Sequence, residues 1–222
     1  MFGKMNIPEQ LLQRIALLQS PAIIAVSGFG GAGKSSLACT LGGKIGAPVV
    51  GVDSFFKDRT ISHYAHWEIV DFQRLAREVL QPFLERKPVR YGHFDWGKNA
   101  IGESRDVPLT TRLIIEGVGL FRPTLLGYFS LLIWVDCPMP EAIKRGKKRD
   151  REEYNNPQDE AWDGIWKRND EECFNQFNPK DTAHFIIDNC NTRSPNQARQ
   201  PTPVGRLAVL RTPSARRGCA RR

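Results

Sequence analysis

The residues that most directly suggest chemistry are GFGGAGKSS, running from Gly28 to Ser36. Gly28, Gly33, Lys34 and Ser35 satisfy the spacing G-x-x-x-x-G-K-S/T. Glycine lets a backbone wrap closely, so that successive N–H groups point at phosphate oxygens. Gly30, Gly31 and Ala32 lie inside that wrap and Ser36 follows it. A helix opening after Gly33 would add its positive N-terminus to the same anion. Lys34 is placed to reach the outer phosphates of a nucleotide, and the Ser35 hydroxyl to ligate Mg²⁺. The pattern implies a nucleotide ligand and leaves the reaction open. No N-K-x-D base-reading motif and no L-S-G-G-Q stretch occurs, so the chain does not resemble GTPase switches or ABC-type ATPases.

Carboxylates narrow the chemistry. Three apolar runs end in an acid: VVGVD at Asp53, LIIE at Glu116 and LLIWVD at Asp136. In parallel strands all three would reach the rim where phosphates bind. Phosphoryl transfer to an alcohol needs one carboxylate near Mg²⁺ and one to accept the hydroxyl proton. The competing reading for each acid is a solvated strand end. Between Asp53 and Glu116 lie nine of the chain's 21 aromatic residues and three of its four histidines. Flat rings suit a flat, nucleoside-like acceptor. The plainer reading, that several of them build a small core, fits most of these rings.

Elements must position those groups. AIIAVS (22–27), Val49 to Val52, Leu113 to Ile115, Leu131 to Val135 and Phe185 to Ile187 are short apolar runs with strand character. Helical patterns cover Ile7 to Gln19, with Leu11, Leu12, Ile15, Leu17 and Leu18 mostly on one face. They continue over Gly33 to Leu41, Asp71 to Phe83 with Asp71 as N-cap, Glu141 to Glu153 and Glu160 to Phe177. Short strands alternating with helices predict an α/β fold: a parallel sheet of about five strands with helices on both faces.

Composition sets bounds. A chain of 222 residues is enough for one domain with a sizeable core. No apolar stretch approaches the roughly 18 residues that span a bilayer, and MFGKMNIPEQ lacks the apolar centre of a signal peptide. No membrane partner is expected. Five scattered cysteines with no C-x-x-C pair point to a reducing cytoplasm. The net charge of +8 comes from the C-terminus, where residues 193–222 carry eight arginines, no lysine and no acid. The other residues hold 24 basic and 24 acidic side chains, so the domain has no electrostatic reason to bind nucleic acid. Residues 193–222 read as a disordered Arg/Pro-rich tail. A shifted reading frame or added sequence is favoured over an anion-binding tail.

GFGGAGKSS, VDSFF, RYGHFDW, LIIEGVGLF, LLIWVDCP, RGKKRD and HFIIDN occur in the order seen in the uridine kinase family, with phosphoribulokinase, pantothenate kinase and nicotinamide riboside kinase as its relatives. The chain resembles that family from about Ala22 to Asn189. The resemblance implies a P-loop fold with a kinase domain over 1–192, an acceptor-binding insertion over 54–111 and a helical lid over 139–156. It implies ATP and Mg²⁺ on Gly28 to Ser36, with Ser35 and Glu116 near the metal. Asp53 matches the family's base, and Arg145 and Arg149, beside Asp150, match lid arginines that act with Lys34 on the transferring phosphoryl group. Tyr91, His93, Phe94 and Trp96 become acceptor-side candidates, as does Phe56, which stands where uridine kinases usually have tyrosine. Asp71 matches an acceptor-binding aspartate only loosely and equally suits a helix cap.

The expected activity is ATP-dependent phosphorylation of a primary hydroxyl, on a nucleoside such as uridine or cytidine. Nicotinamide riboside, pantothenate or a sugar are alternative acceptors. A nucleotide-dependent regulator or nucleic-acid binder using the tail is the reading from another class. A homo-oligomer is left open.

Overall fold

AIIAVSG, the stretch Ala22–Gly28, is buried along its whole length. A strand with no solvent-facing side must be covered on both faces, as in parallel α/β sheets. The computed structural model describes residues 6–190, and the fold follows from that rule. The chain runs α1 (Glu9–Ala16), β1 (Ala22–Gly28), α2 (Lys34–Ile45), β2 (Val49–Gly51) and a 3₁₀ turn (Val52–Phe55). Next come α3 (Phe72–Leu75), a π-helical turn (Ala76–Leu80), α4 (Gln81–Leu84), and the strands β3 (Val89–Asp95) and β4 (Ala100–Val107). The remainder is β5 (Arg112–Glu116), α5 (Pro123–Leu126), β6 (Leu131–Asp136), α6 (Met139–Glu152), α7 (Asp159–Asp163), α8 (Ile165–Phe177), α9 (Pro179–Thr182) and β7 (Phe185–Asp188).

Five strands form one parallel sheet in the order β2-β5-β1-β6-β7. β1 lies between β5 and β6, with Val26 opposite Glu116 and Gly28 opposite Val135. The carboxyl ends of β1, β2, β5 and β6 therefore share one rim. Ile23, Ile24, Leu37, Leu41, Leu113 and Ile114 are fully enclosed around the sheet. Each such side chain contributes about 1.5–3 kcal/mol by leaving water.

Several elements differ from the sequence expectation. α1 is shorter than Ile7 to Gln19, and Leu17 lies beyond it with 78% of its surface exposed. The helix expected over Asp71 to Phe83 widens into a π turn just ahead of Pro82, which has no N–H to give to the carbonyl four residues back. The helix expected over Glu160 to Phe177 breaks at Gly164. The antiparallel pair β3–β4 was not anticipated. Most of β4 is exposed and polar, so it carries no alternating pattern to read.

Candidate active site

The phosphate loop joins β1 to α2. Gly31 and Gly33 have φ of 78° and 98°, in the left-handed region that glycine alone adopts freely. A Cβ on Gly31 would stand 2.0 Å from the Ala142 carbonyl oxygen of α6. The loop is braced at several points. Gly30 N–H donates to Asp170 Oδ2 at 2.7 Å, and Asn189 Nδ2 donates to the Ala32 carbonyl at 2.7 Å. Lys34 is buried and donates to the Phe29 carbonyl at 2.8 Å. Burial pushes its pKa down, against the pull of Asp170, Glu116 and Asp53. Ser35 and Ser36 follow Lys34 in the first turn of α2, and Ser35 is exposed.

β2 ends at Gly51, and the 3₁₀ turn that follows carries Asp53 out over the rim. Arg74 holds that turn: its guanidinium donates to the Ser54 carbonyl at 2.8 Å and to the Gly92 carbonyl at 2.8 Å, and lies over the Phe55 ring. Glu116 ends β5 and accepts a hydrogen bond from Ser35 Oγ at 3.2 Å. The surrounding protein raises the Glu116 pKa to about 7, and the neighbouring Asp53 charge adds to that rise. Lys34, the Ser35 hydroxyl and Arg149 oppose it. Asp53 is open to the cleft, yet protein on its other sides displaces bulk water and raises its pKa. Lys34, Arg149 and His93 pull the other way. Two carboxylates, one lysine, one arginine and one serine thus converge on one rim.

Asp136, the third strand-end acid, does not join them. It pairs with Lys180 at 2.8 Å, a structural use. Arg145 and Arg149, the pair expected on a lid, also part company on α6. Arg149 donates through Nε and Nη2 to Asp150 Oδ1 and faces the acid pair. Asp150 is buried and accepts from the Trp162 indole at 2.7 Å. Arg145 instead donates to Glu141 and to the Asn189 carbonyl, the residue that braces Ala32.

Beside Asp53 opens a cleft of about 720 Å³. Phe56, Tyr64, Trp96, Tyr154 and Trp166 supply aromatic walls, and Arg59 and Arg149 supply charge. Of the six expected acceptor residues, Phe56 and Trp96 line this cleft. His93 shares a 2.9 Å hydrogen bond with Ser54, next to Asp53. Burial lowers the His93 pKa, with Arg105 adding to the effect and Asp95 and Asp53 opposing it. Tyr91 and Phe94 are buried core residues, Tyr91 stacked on Phe55 and Phe94 packed edge-on to Trp96. Asp71 caps α3, its Oδ1 accepting from Arg74 N–H at 2.9 Å. Tyr91 and Phe94 thus stand in the framework and not on the cleft wall, and Asp71 takes the helix-cap role, one of the two uses open to it. The aromatic type of Tyr91 and Phe94 was legible, but their direction depended on the unread hairpin.

Sequence reasoning missed Tyr64, Trp166, Tyr154 and Arg59 on the cleft wall, and Asp170 and Arg74 behind the loops. The aromatic count over 54–111 was a signal for Tyr64. Asp170 lies mid-helix among other charged residues, and nothing in its spacing marks it.

No protein-family model matches the chain. Among solved structures the chain is similar to a possible uridine kinase from Bacillus stearothermophilus, at 17% identity and a TM-score of 0.60, covering 81% of this chain and 96% of that one. It is similar to a provisionally assigned fructose transport system kinase from Silicibacter sp. TM1040, at 22% identity and a TM-score of 0.59, over 73% and 89% of the two chains. A D-glycerate 3-kinase from Cryptococcus neoformans aligns at 10% identity and a TM-score of 0.58, over 86% and 95%. This chain shares its fold, a five-stranded parallel sheet with helices, with these three structures.

Proposed function

We propose that the protein is an ATP-dependent kinase that moves the γ-phosphoryl group to a primary hydroxyl of a small, nucleoside-like acceptor. The observation that carries this reading is the position of Asp53. It stands where the Lys34, Ser35 and Glu116 cluster meets the aromatic cleft, which is where an acceptor hydroxyl and a terminal phosphate would have to meet.

The loop from Gly28 to Ser36 holds the triphosphate. Ser35 and Glu116 fit Mg²⁺ because both offer hard oxygens on the phosphate side of the rim. No cluster of three His, Cys, Asp or Glu side chains forms a cage among the described residues. That suits an ion held mainly by water and phosphate. When bound, Mg²⁺ neutralises charge on the phosphate oxygens. Asp53 accepts the acceptor's hydroxyl proton while that oxygen bonds the γ-phosphorus and ADP leaves. Its raised pKa makes it a stronger base than a free aspartate. Lys34 and Arg149 offset charge on the transferring group. Residues 54–111 serve as the acceptor-binding insertion, and residues 139–156 as a lid that excludes water.

Five rings around the cleft support a flat acceptor. No helix among the described residues is long and apolar enough to cross a membrane. The four cysteines among the described residues are all free thiols, which suits a reducing cytoplasm. Asp53→Asn tests the reading. ATP affinity should stay nearly intact while phosphoryl transfer falls by about 10²–10⁴, the usual span for a general base. Full turnover in that variant would remove Asp53 from the role.

A further inference from the structure

Asp170 is a carboxylate enclosed in α8, and it is bonded at both oxygens. Oδ2 accepts from Gly30 N–H of the phosphate loop at 2.7 Å. Oδ1 accepts from the Trp67 indole N–H at 2.8 Å. The first contact reaches the nucleotide side of the site. The second reaches the segment that carries Tyr64 to the cleft wall. Asn169, the preceding residue, is fully buried and extends the same link. Its Oδ1 accepts from Trp67 N–H at 2.7 Å, and its Nδ2 donates to the Tyr64 carbonyl at 3.2 Å.

The segment so held is strained. His66 and Trp67 have φ of 50° and 59°, two consecutive non-glycine residues in the left-handed region. Such backbone persists only where its surroundings over-determine it. Glu172 accepts from His66 N–H, Arg122 donates to the His66 carbonyl and Val70 N–H to the Trp67 carbonyl, so the backbone N–H and C=O of His66 and Trp67 all have partners. On the loop side Asp170 is the largest opposite charge acting on Lys34. A Cβ on Gly30 would press within 2.8 Å of the Trp162 ring, so the residue that donates to Asp170 sits in a tightly packed place.

We propose that Asp170 is a positioning residue that couples the acceptor-side segment 64–67 to the phosphate loop, so that the loop's grip on a nucleotide depends on Trp67. Asp170 does not touch the reacting atoms. It fixes the direction of Gly30 N–H and supplies Lys34 with a counter-charge. Trp67 in turn fixes the direction of the carboxylate. Loss of the indole N–H leaves Oδ1 without a donor and frees the carboxylate to rotate. The proposal rests on the nucleotide-binding half of the function above.

Mg²⁺·ADP binding by isothermal titration calorimetry tests it on the full chain, with Trp67→Phe, Asp170→Asn and the double variant. Circular dichroism establishes that each is folded. Trp67→Phe should weaken ADP roughly tenfold, the size of losing one hydrogen bond to a charged partner. In turnover it should raise the ATP KM more than it lowers kcat. Asp170→Asn should weaken ADP at least as much, and the double variant no further, because both act through one link. A folded Trp67→Phe that binds ADP within twofold of the parent overturns the coupling, as do losses that multiply in the double variant. If Asp170→Asn does not fold, Trp67→Phe decides alone. A parent that binds no nucleotide sinks the functional reading instead, so the two failures are distinguishable.

Discussion

The two α6 arginines, Arg145 and Arg149, show how far residue type alone reaches. Arg145 and Arg149 are one helical turn apart and read as a pair, but the structure gives them different neighbours. Arg149 faces Asp53 and Glu116, whereas Arg145 leans on Asn189 behind the phosphate loop. Steady-state kinetics should separate them. Arg149→Ala is expected to lower kcat by about 10²–10³, as for loss of one preorganised charge. Arg145→Ala should act mainly on the nucleotide KM. Asp170 carries a pH prediction. Enclosure raises its pKa from 3.8 to about 6, so the folded chain holds a proton there that the unfolded chain releases earlier. Its contribution is most favourable below pH 4 and is lost as pH rises from about 4 to 6. Urea unfolding at pH 4.5 and pH 7 should show the stability of the parent, relative to Asp170→Asn, falling over that interval. The phosphate-loop residues, Asp53 and Glu116 were legible because their spacing and strand-end position carry meaning locally. Asp170, Arg74 and Tyr64 were not, because their partners lie 140, 20 and 105 residues away in sequence.

At the scale of elements, strand ends decide the site. β2 and β5 deliver Asp53 and Glu116 to one rim only because they lie side by side, with Gly51 opposite Glu116. Gly117 makes that approach possible. Its φ is 152°, and a Cβ there would stand 2.1 Å from Val52 Cγ2, one residue before Asp53. Gly117→Ala should therefore destabilise the fold by about 1–3 kcal/mol, the usual cost of overpacking. Val52→Ala in the same chain should recover part of the loss, as read by urea unfolding. No recovery would mean that backbone strain, not the Val52 contact, is the cause. The buried strands were legible as continuous apolar runs. The β3–β4 hairpin was not: Gly92 and the irregular register before Phe94 interrupt β3, and β4 is mostly polar. That hairpin sets where Tyr91, Phe94 and Trp96 point, so the acceptor side was read less well than the phosphate side.

For the whole molecule, charge and topology agree on a small-molecule site. The sheet order places one ligand rim beyond β1, and the aromatic cleft opens on that rim rather than on a distant face. The strongly basic segment, residues 193–222, lies outside the described residues, and the remaining chain is neutral by count. A chain ending at residue 192 should keep its turnover, measured as ADP release. Any salt-sensitive nucleic-acid binding should disappear with the removed segment. The most direct test of the central claim is acceptor-dependent ADP release across nucleosides, nicotinamide riboside, pantothenate and sugars, with the product identified by mass spectrometry. The account predicts that one flat, hydroxyl-bearing acceptor stimulates ADP release and gains a single phosphoryl group, and that Asp53→Asn slows the gain by about 10²–10⁴. ATP bound without any acceptor phosphorylated, alongside salt-sensitive nucleic-acid binding, would contradict it.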